Sequence, residues 1–128
     1  MILIIERSTE VLDRLVQIVS EIEHPKTIFK AAGFEEALLL LEDIKPKIVL
    51  LDSCLPEHKS IDLLKKIKNG DTTVKVIILS NNPDARYERH YLSMGADVFL
   101  DKYHDYEKLP ELINRIYCNN DFNVNELR

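Results

Sequence analysis

Ile48-Val49-Leu50-Leu51-Asp52-Ser53-Cys54-Leu55-Pro56 is an unbroken apolar run that ends abruptly in a carboxylate. A strand with one wet face alternates apolar and polar residues, whereas a strand covered on both faces stays apolar throughout. Ile48 to Leu51 therefore reads as a strand buried on both sides. Outward from it the same kind of run recurs at Ile2 to Ile5 and Val74 to Leu79. Asp97 to Leu100 makes a fifth strand, and Thr27 to Ala31, introduced by Pro25, a weaker one.

Segments of helical period lie between these runs. Val11, Leu12, Leu15, Val16, Ile18, Val19 and Ile22 recur at helical spacing, with Ser8 or Thr9 as the N-cap. Gly33 precedes a helix carrying Ala37, Leu38, Leu41 and Ile44, which Pro46 ends because proline cannot continue the hydrogen-bond ladder. A third helix spans Ile61 to Ile67 and closes at Asn69-Gly70. Pro83 suits the first turn of a fourth, running to about Met94 before Gly95. The fifth covers Glu107 to Tyr117, with Pro110 tolerated near its start.

Five such units predict an α/β fold, a doubly wound five-stranded parallel sheet covered by helices on both faces. The flavodoxin-like strand order 2-1-3-4-5 suits five strands. The expected organisation is one domain over residues 1–118 and a polar, loosely held C-terminal tail over 119–128.

The 128-residue chain has 45% hydrophobic and 30% charged residues and a net charge of −5, with both signs mixed along its length. That balance argues against a nucleic-acid partner, which would need clustered positive charge. The apolar runs are too short to span a bilayer and no secretory signal opens the chain, so a cytoplasmic location and no membrane partner are expected. Cys54 and Cys118 lack CxxC spacing and are read as reduced thiols. His24, His58, His90 and His104 are scattered, without metal-ligand spacing, and are read as surface residues.

Ligands of doubly wound sheets bind beyond the carboxyl ends of the strands, where the strand order switches. The first strand ends at Glu6 and Arg7, the third at Asp52, the fourth at Ser80 and the fifth near Lys102. Singly, each residue suits a cap, a turn or a solvated surface. Together they bring carboxylates, a hydroxyl and an ammonium to one edge.

These segments resemble the receiver domains of bacterial response regulators over about residues 1 to 118. Ile48 to Pro56 is similar to the phosphoacceptor segment, and Val76-Ile77-Ile78-Leu79-Ser80 to the strand that ends in Ser or Thr. Gly95-Ala96-Asp97-Val98-Phe99-Leu100-Asp101-Lys102 is similar to the segment that delivers the lysine, with an aromatic three residues before it. The resemblance implies a two-component phosphorelay protein. Asp52 would accept a phosphoryl group from a histidine kinase or phosphotransfer protein, while Lys102 and Ser80 bind phosphoryl oxygens. Ser80 and Phe99 would form a switch that reshapes the face of the fourth helix, fifth strand and fifth helix for a downstream protein partner. A homodimer through that face is a further expectation. Glu6, Asp52 and the backbone carbonyl of Cys54 would hold Mg²⁺.

Arg7 departs from the family pattern, since it falls where the second of two acidic residues normally binds the metal. A guanidinium has no lone pair to offer and repels a cation, so the Mg²⁺ site is expected to be weak. Arg7 would then either pair with Asp52 or Glu6 or swing into solvent. Asn81 follows Ser80 where a small residue is usual, Ser60 replaces a common glycine, and Tyr103 replaces a proline that often follows a cis bond. A pseudo-receiver that binds partners without phosphorylation is the alternative that Arg7 supports. A flavin carrier is disfavoured because Glu6-Arg7-Ser8-Thr9-Glu10-Val11 lacks the glycine-rich phosphate loop. No enzyme activity is expected beyond self-catalysed phosphotransfer and autodephosphorylation. A ten-residue tail cannot hold a helix-turn-helix, so the expectation is either output by protein–protein contact or a chain that is a fragment of a longer regulator.

Overall fold

A computed structural model describes residues 1–24, 26–82 and 84–118. Strands β1 (Ile2–Ile5), β2 (Ile28–Ala31), β3 (Ile48–Asp52), β4 (Lys75–Ser80) and β5 (Val98–Asp101) form one parallel sheet in the order β2-β1-β3-β4-β5. They alternate with helices α1 (Thr9–Ser20), α2 (Phe34–Asp43), α3 (Lys59–Gly70), α4 (Ala85–Ser93) and α5 (Leu109–Cys118). The architecture and strand order are those expected.

Alternation along each strand divides the core in two. Ile2, Ile4, Ile48, Leu50, Ile77, Leu79, Val98 and Leu100 pack on α1 and α5. Leu3, Ile5, Val49, Leu51, Val76 and Ile78 face the other way, towards α2, α3 and α4. Each such side chain taken fully from water stabilises by about 1.5–3 kcal/mol. This two-sided burial explains the unbroken apolar runs. At the edge β2 is only partly covered, which matches its weaker pattern.

Local differences concern element ends. Ser8 is the first N-cap, its side chain accepting the Val11 N–H. The third helix is longer than periodicity indicated and is entered through a 3-10 turn, Pro56–His58. Glu57 and His58 hold φ of 57° and 60° there, a left-handed excursion that hydrophobic spacing cannot reveal. The fourth helix starts at Ala85 behind the N-cap Asp84, whose carboxylate accepts the Arg86 N–H at 2.8 Å. A second 3-10 turn, Tyr106–Lys108, leads into α5, with Pro110 in its first turn. Pro25, Pro83 and the tail 119–128 lie outside the described residues, and so do the expectations placed on them. Among the described residues no helix is long and apolar enough to cross a membrane.

Candidate functional site

Strand register sets the site. Ile5 pairs with Leu51, Asp52 with Leu79, and Ser80 with Asp101. Glu6, Asp52, Ser80 and Lys102 therefore emerge stepwise along one edge, and all four are buried.

Lys102 binds the two carboxylates together. Its Nζ donates to Asp52 Oδ1 at 2.8 Å and lies 2.8 Å from Glu6 Oε1. The contact with Glu6 is close enough for ion pairing but off the axis a hydrogen bond needs, which leaves Oε1 a buried acceptor without an aligned donor. Glu6 Oε2 accepts the Ser8 N–H at 2.9 Å. Asp52 Oδ1 also accepts the Cys54 N–H at 2.8 Å, and Oδ2 the Arg7 N–H at 3.4 Å.

These contacts divide the protons unequally. Burial, then the neighbouring Asp52, raises the Glu6 pKa above its ordinary value, against the pull of Lys102 and the Ser8 N–H. Burial would also raise Asp52, but bonds from the Glu6 carboxyl, Lys102 and the Cys54 N–H outweigh it and hold Asp52 low. Burial opposes the charge of Lys102 most strongly, yet the two carboxylates together raise its pKa. The two carboxyls are thus shifted in opposite directions, and Asp52 is the one held towards the ionised form that a nucleophile needs.

The remaining site residues are arranged differently from one another. Ser80 Oγ accepts the Asn82 N–H at 3.0 Å and donates to the Asn82 carbonyl at 3.3 Å, both bonds within its own loop. Phe99 is half-buried, its ring 5.9 Å from that of Tyr91. Asn81 reaches across to Cys54, whose Sγ donates to Asn81 Oδ1 at 3.1 Å. Arg7 takes the second of its two expected positions: its side chain is exposed and forms no ion pair among the described residues. Lys102 makes the contact with both carboxylates that Arg7 could have made.

Three further expectations are settled by the structure. No cis peptide occurs among the described residues, so the loop after Lys102 does not use one. Ser60 is more than a replaced glycine, because its Oγ donates to the Asp52 carbonyl at 2.6 Å and accepts the Leu55 N–H at 3.2 Å. His24 is half-buried and stacks on Tyr117 at 5.3 Å, unlike the exposed histidines at 58, 90 and 104. Sequence reading missed Tyr91, which is 1% exposed and whose hydroxyl donates to the Ser53 carbonyl at 3.4 Å. Only its place on the inner face of α4 could have signalled it.

The family model for the response regulator receiver domain matches residues 2–114. The chain belongs to the receiver domain family. Among curated relatives, this receiver domain is 28% identical to the chemotaxis protein CheY of Thermotoga maritima over 100 residues, covering 71% of the chain and 83% of CheY. It is 30% identical over 79 residues to the transcriptional regulatory protein DegU of Brevibacillus brevis, covering 62% of the chain but only 34% of DegU. The chain thus spans about a third of the length of DegU and of the other longer regulators it matches. Among solved structures, a CheY-like receiver domain from Methanospirillum hungatei superposes with a TM-score of 0.81 at 25% identity, over 94% of each chain. The signal receiver domain of a DNA-binding response regulator from Colwellia psychrerythraea superposes with a TM-score of 0.84 at 24% identity, over 92% of this chain and 98% of that one. Receiver domains serve two-component signalling, where they meet histidine kinases and downstream effectors and typically bind Mg²⁺.

The donor chemistry here suits a hard cation in part. Two oxygen donors, Glu6 and Asp52, stand together, and Glu6 Oε1 lacks an aligned donor. Against a cation stand Lys102, already between them, and Arg7 in place of a third carboxylate. Among the described residues no cluster of three or more His, Cys, Asp or Glu side chains is arranged to hold a metal.

Proposed function

We propose that this receiver domain signals by phosphorylation of Asp52. The observation that carries the reading is the pairing of Lys102 Nζ with Asp52 Oδ1 at 2.8 Å, at the edge where Cys54 donates its N–H to the same oxygen. An Asp52 oxygen attacks the phosphorus of a phosphohistidine, the N–P bond breaks, and the imidazole leaves with the bond electrons and takes up a proton. Such a transfer needs positioning and charge stabilisation more than covalent chemistry from the protein. Lys102 follows the negative charge from the carboxylate to the phosphoryl oxygens, which lie within reach of its flexible stem. Ser80 supports the product by rotating its hydroxyl out of the Asn82 turn. Phe99 responds, and the face of α4, β5 and α5 changes its packing for a protein partner.

Mg²⁺, when bound, screens the charge between donor and acceptor. Glu6, Asp52 and the Cys54 carbonyl would hold it, one carboxylate short because of Arg7, so binding is weak. Hydrolysis of the protein's own acyl phosphate is the only turnover in this reading. Incubation with acetyl phosphate, with and without Mg²⁺, followed by intact-protein mass spectrometry, tests it. One added phosphoryl group, absent in Asp52→Asn and little changed by Mg²⁺, is expected.

One observation favours a second reading, a module that binds partners unphosphorylated. Arg7 stands at the metal edge while Lys102 already neutralises Asp52. Failure of both acetyl phosphate and a phosphorylated histidine phosphotransfer domain to label Asp52 would select it.

A further inference from the structure

Tyr91 leads the fully buried side chains in size, and it reaches from α4 to Ser53 beside the functional edge. Its ring lies 5.9 Å from Phe99 and 5.7 Å from Tyr87, contacts that a phenylalanine would also make. The hydroxyl is different in kind, since a polar group is costly to bury without a partner. It donates to the Ser53 carbonyl at 3.4 Å, a long bond. Burial, with Tyr87 second, pushes the phenol up to about 12, so the hydroxyl remains a donor across the working range.

Ser53 carbonyl and Cys54 amide are the two ends of one planar peptide unit. The amide end donates to Asp52 Oδ1 at 2.8 Å, and the carbonyl end accepts from Tyr91. The preceding carbonyl, that of Asp52, is held at 2.6 Å by Ser60 on α3. Side chains from two helices thus grip consecutive carbonyls behind the carboxylate. Donation to a peptide carbonyl polarises the unit and makes its N–H a stronger donor. Because the unit is planar, turning the N–H towards a changed acceptor also turns the carbonyl on which Tyr91 rests.

We propose that Tyr91 is a positioning residue that couples the charge state of Asp52 to α4 through the Ser53–Cys54 peptide. The inference rests on Asp52 as the place where charge changes. Loss of negative charge at Oδ1 weakens the pull on the Cys54 N–H, the plane relaxes, and Tyr91 carries the movement into α4 and onto Phe99.

The test is a double-mutant cycle on the whole chain, using Asp52→Asn, Tyr91→Phe and their combination. Tyr91→Phe keeps the ring and removes only the hydroxyl. Amide ¹H–¹⁵N spectra should show Asp52→Asn shifting the Ala85–Ser93 resonances in the wild-type background, with most of that shift gone in Tyr91→Phe. A general loosening of the fold would move resonances far from α4 as well, such as those around Lys68 and Asp97. Equal α4 shifts in both backgrounds would overturn the proposal. The readout does not require phosphorylation. Absence of acetyl phosphate labelling would therefore count against Asp52 as acceptor while the cycle still decides on Tyr91.

Discussion

Two lysine–carboxylate clusters serve the molecule in opposite ways. At the carboxyl edge of the sheet, one ammonium, Lys102, meets two carboxylates, Glu6 and Asp52, with side-chain exposure of 5% or less throughout. On the far side of the molecule the ratio is reversed. Lys68 at 2.7 Å and Lys75 at 3.8 Å meet the single carboxylate of Asp97, all three partly exposed. Asp97 Oδ2 also accepts the Val76 N–H at 2.9 Å, and Lys68 also donates to the Val74 carbonyl, so this cluster ties α3 to β4 and to the start of β5. Its one excess charge is a partly exposed ammonium that water can solvate, and none of its polar atoms is buried without a partner. The Glu6–Asp52–Lys102 cluster is left with an excess carboxylate and an acceptor without an aligned donor. Similar ingredients make a fastening in one place and the buried cluster of the candidate site in the other. Burial, stoichiometry and alignment account for the difference.

Removing the lysine from each cluster should separate them most clearly. Lys102→Met strands two buried carboxylates, and a loss of about 3 kcal/mol in urea unfolding is expected near neutral pH. The loss should shrink in acid, where protonation removes the stranded charge. An equal loss at both pH values would break the contrast. Gly95 tests the fastening through its backbone. It holds φ of 108°, and an added Cβ would stand 3.3 Å from Lys68 Cγ. Gly95→Ala is expected to cost about 2 kcal/mol, mostly backbone strain, as read by thermal or urea unfolding. Lys68→Met should cost only about 1 kcal/mol after solvent screening, since Asp97 keeps Lys75 and the Val76 N–H. A cost matching that of Lys102→Met would show that exposure does not divide the clusters.

The smallest effect concerns proton linkage. Glu6 has a pKa raised above 4.5, so the folded protein holds its proton where the unfolded chain has lost it. Stability from this group therefore falls as pH rises from about 4.5 through its folded pKa. Asp52 has a lowered pKa and acts with the opposite sign: its contribution is present above 3.8 and is lost as pH falls through the folded value. Glu6→Gln should flatten the decline on the higher-pH side and leave the acid limb of Asp52 in place. Urea midpoints across a pH series measure both limbs. A decline unchanged in Glu6→Gln would assign it to another group.

Much of this could be read beforehand. Ile2–Ile5 and Ile48–Leu51 announced strands covered on both faces because continuous apolar runs have one economical environment. The convergence of Glu6, Asp52, Ser80 and Lys102 followed from strand ends, since in a parallel sheet every carboxyl end lies on one side. Other features were silent. Tyr91 read as one more aromatic on a helix, and Ser60 as a missing glycine, because a hydrogen bond to a distant carbonyl has no signature in spacing. Arg7 was placed correctly, but its direction was open between two arrangements, and Lys102 filled the place of one of them.

The amino-acid sequence by itself determined the fold class, the strand order's carboxyl edge and the residue types gathered there. These depend on local periodicity and chain direction, which the linear order of residues contains. Only the tertiary structure decided how the charges divide. Whether Lys102 or Arg7 neutralises Asp52, why the pKa of Glu6 is raised while that of Asp52 is lowered, and how Tyr91 reaches the Ser53–Cys54 peptide depend on distances between residues far apart in sequence. Electrostatic and hydrogen-bond energies vary steeply over those distances, so the packing of the helices settles them.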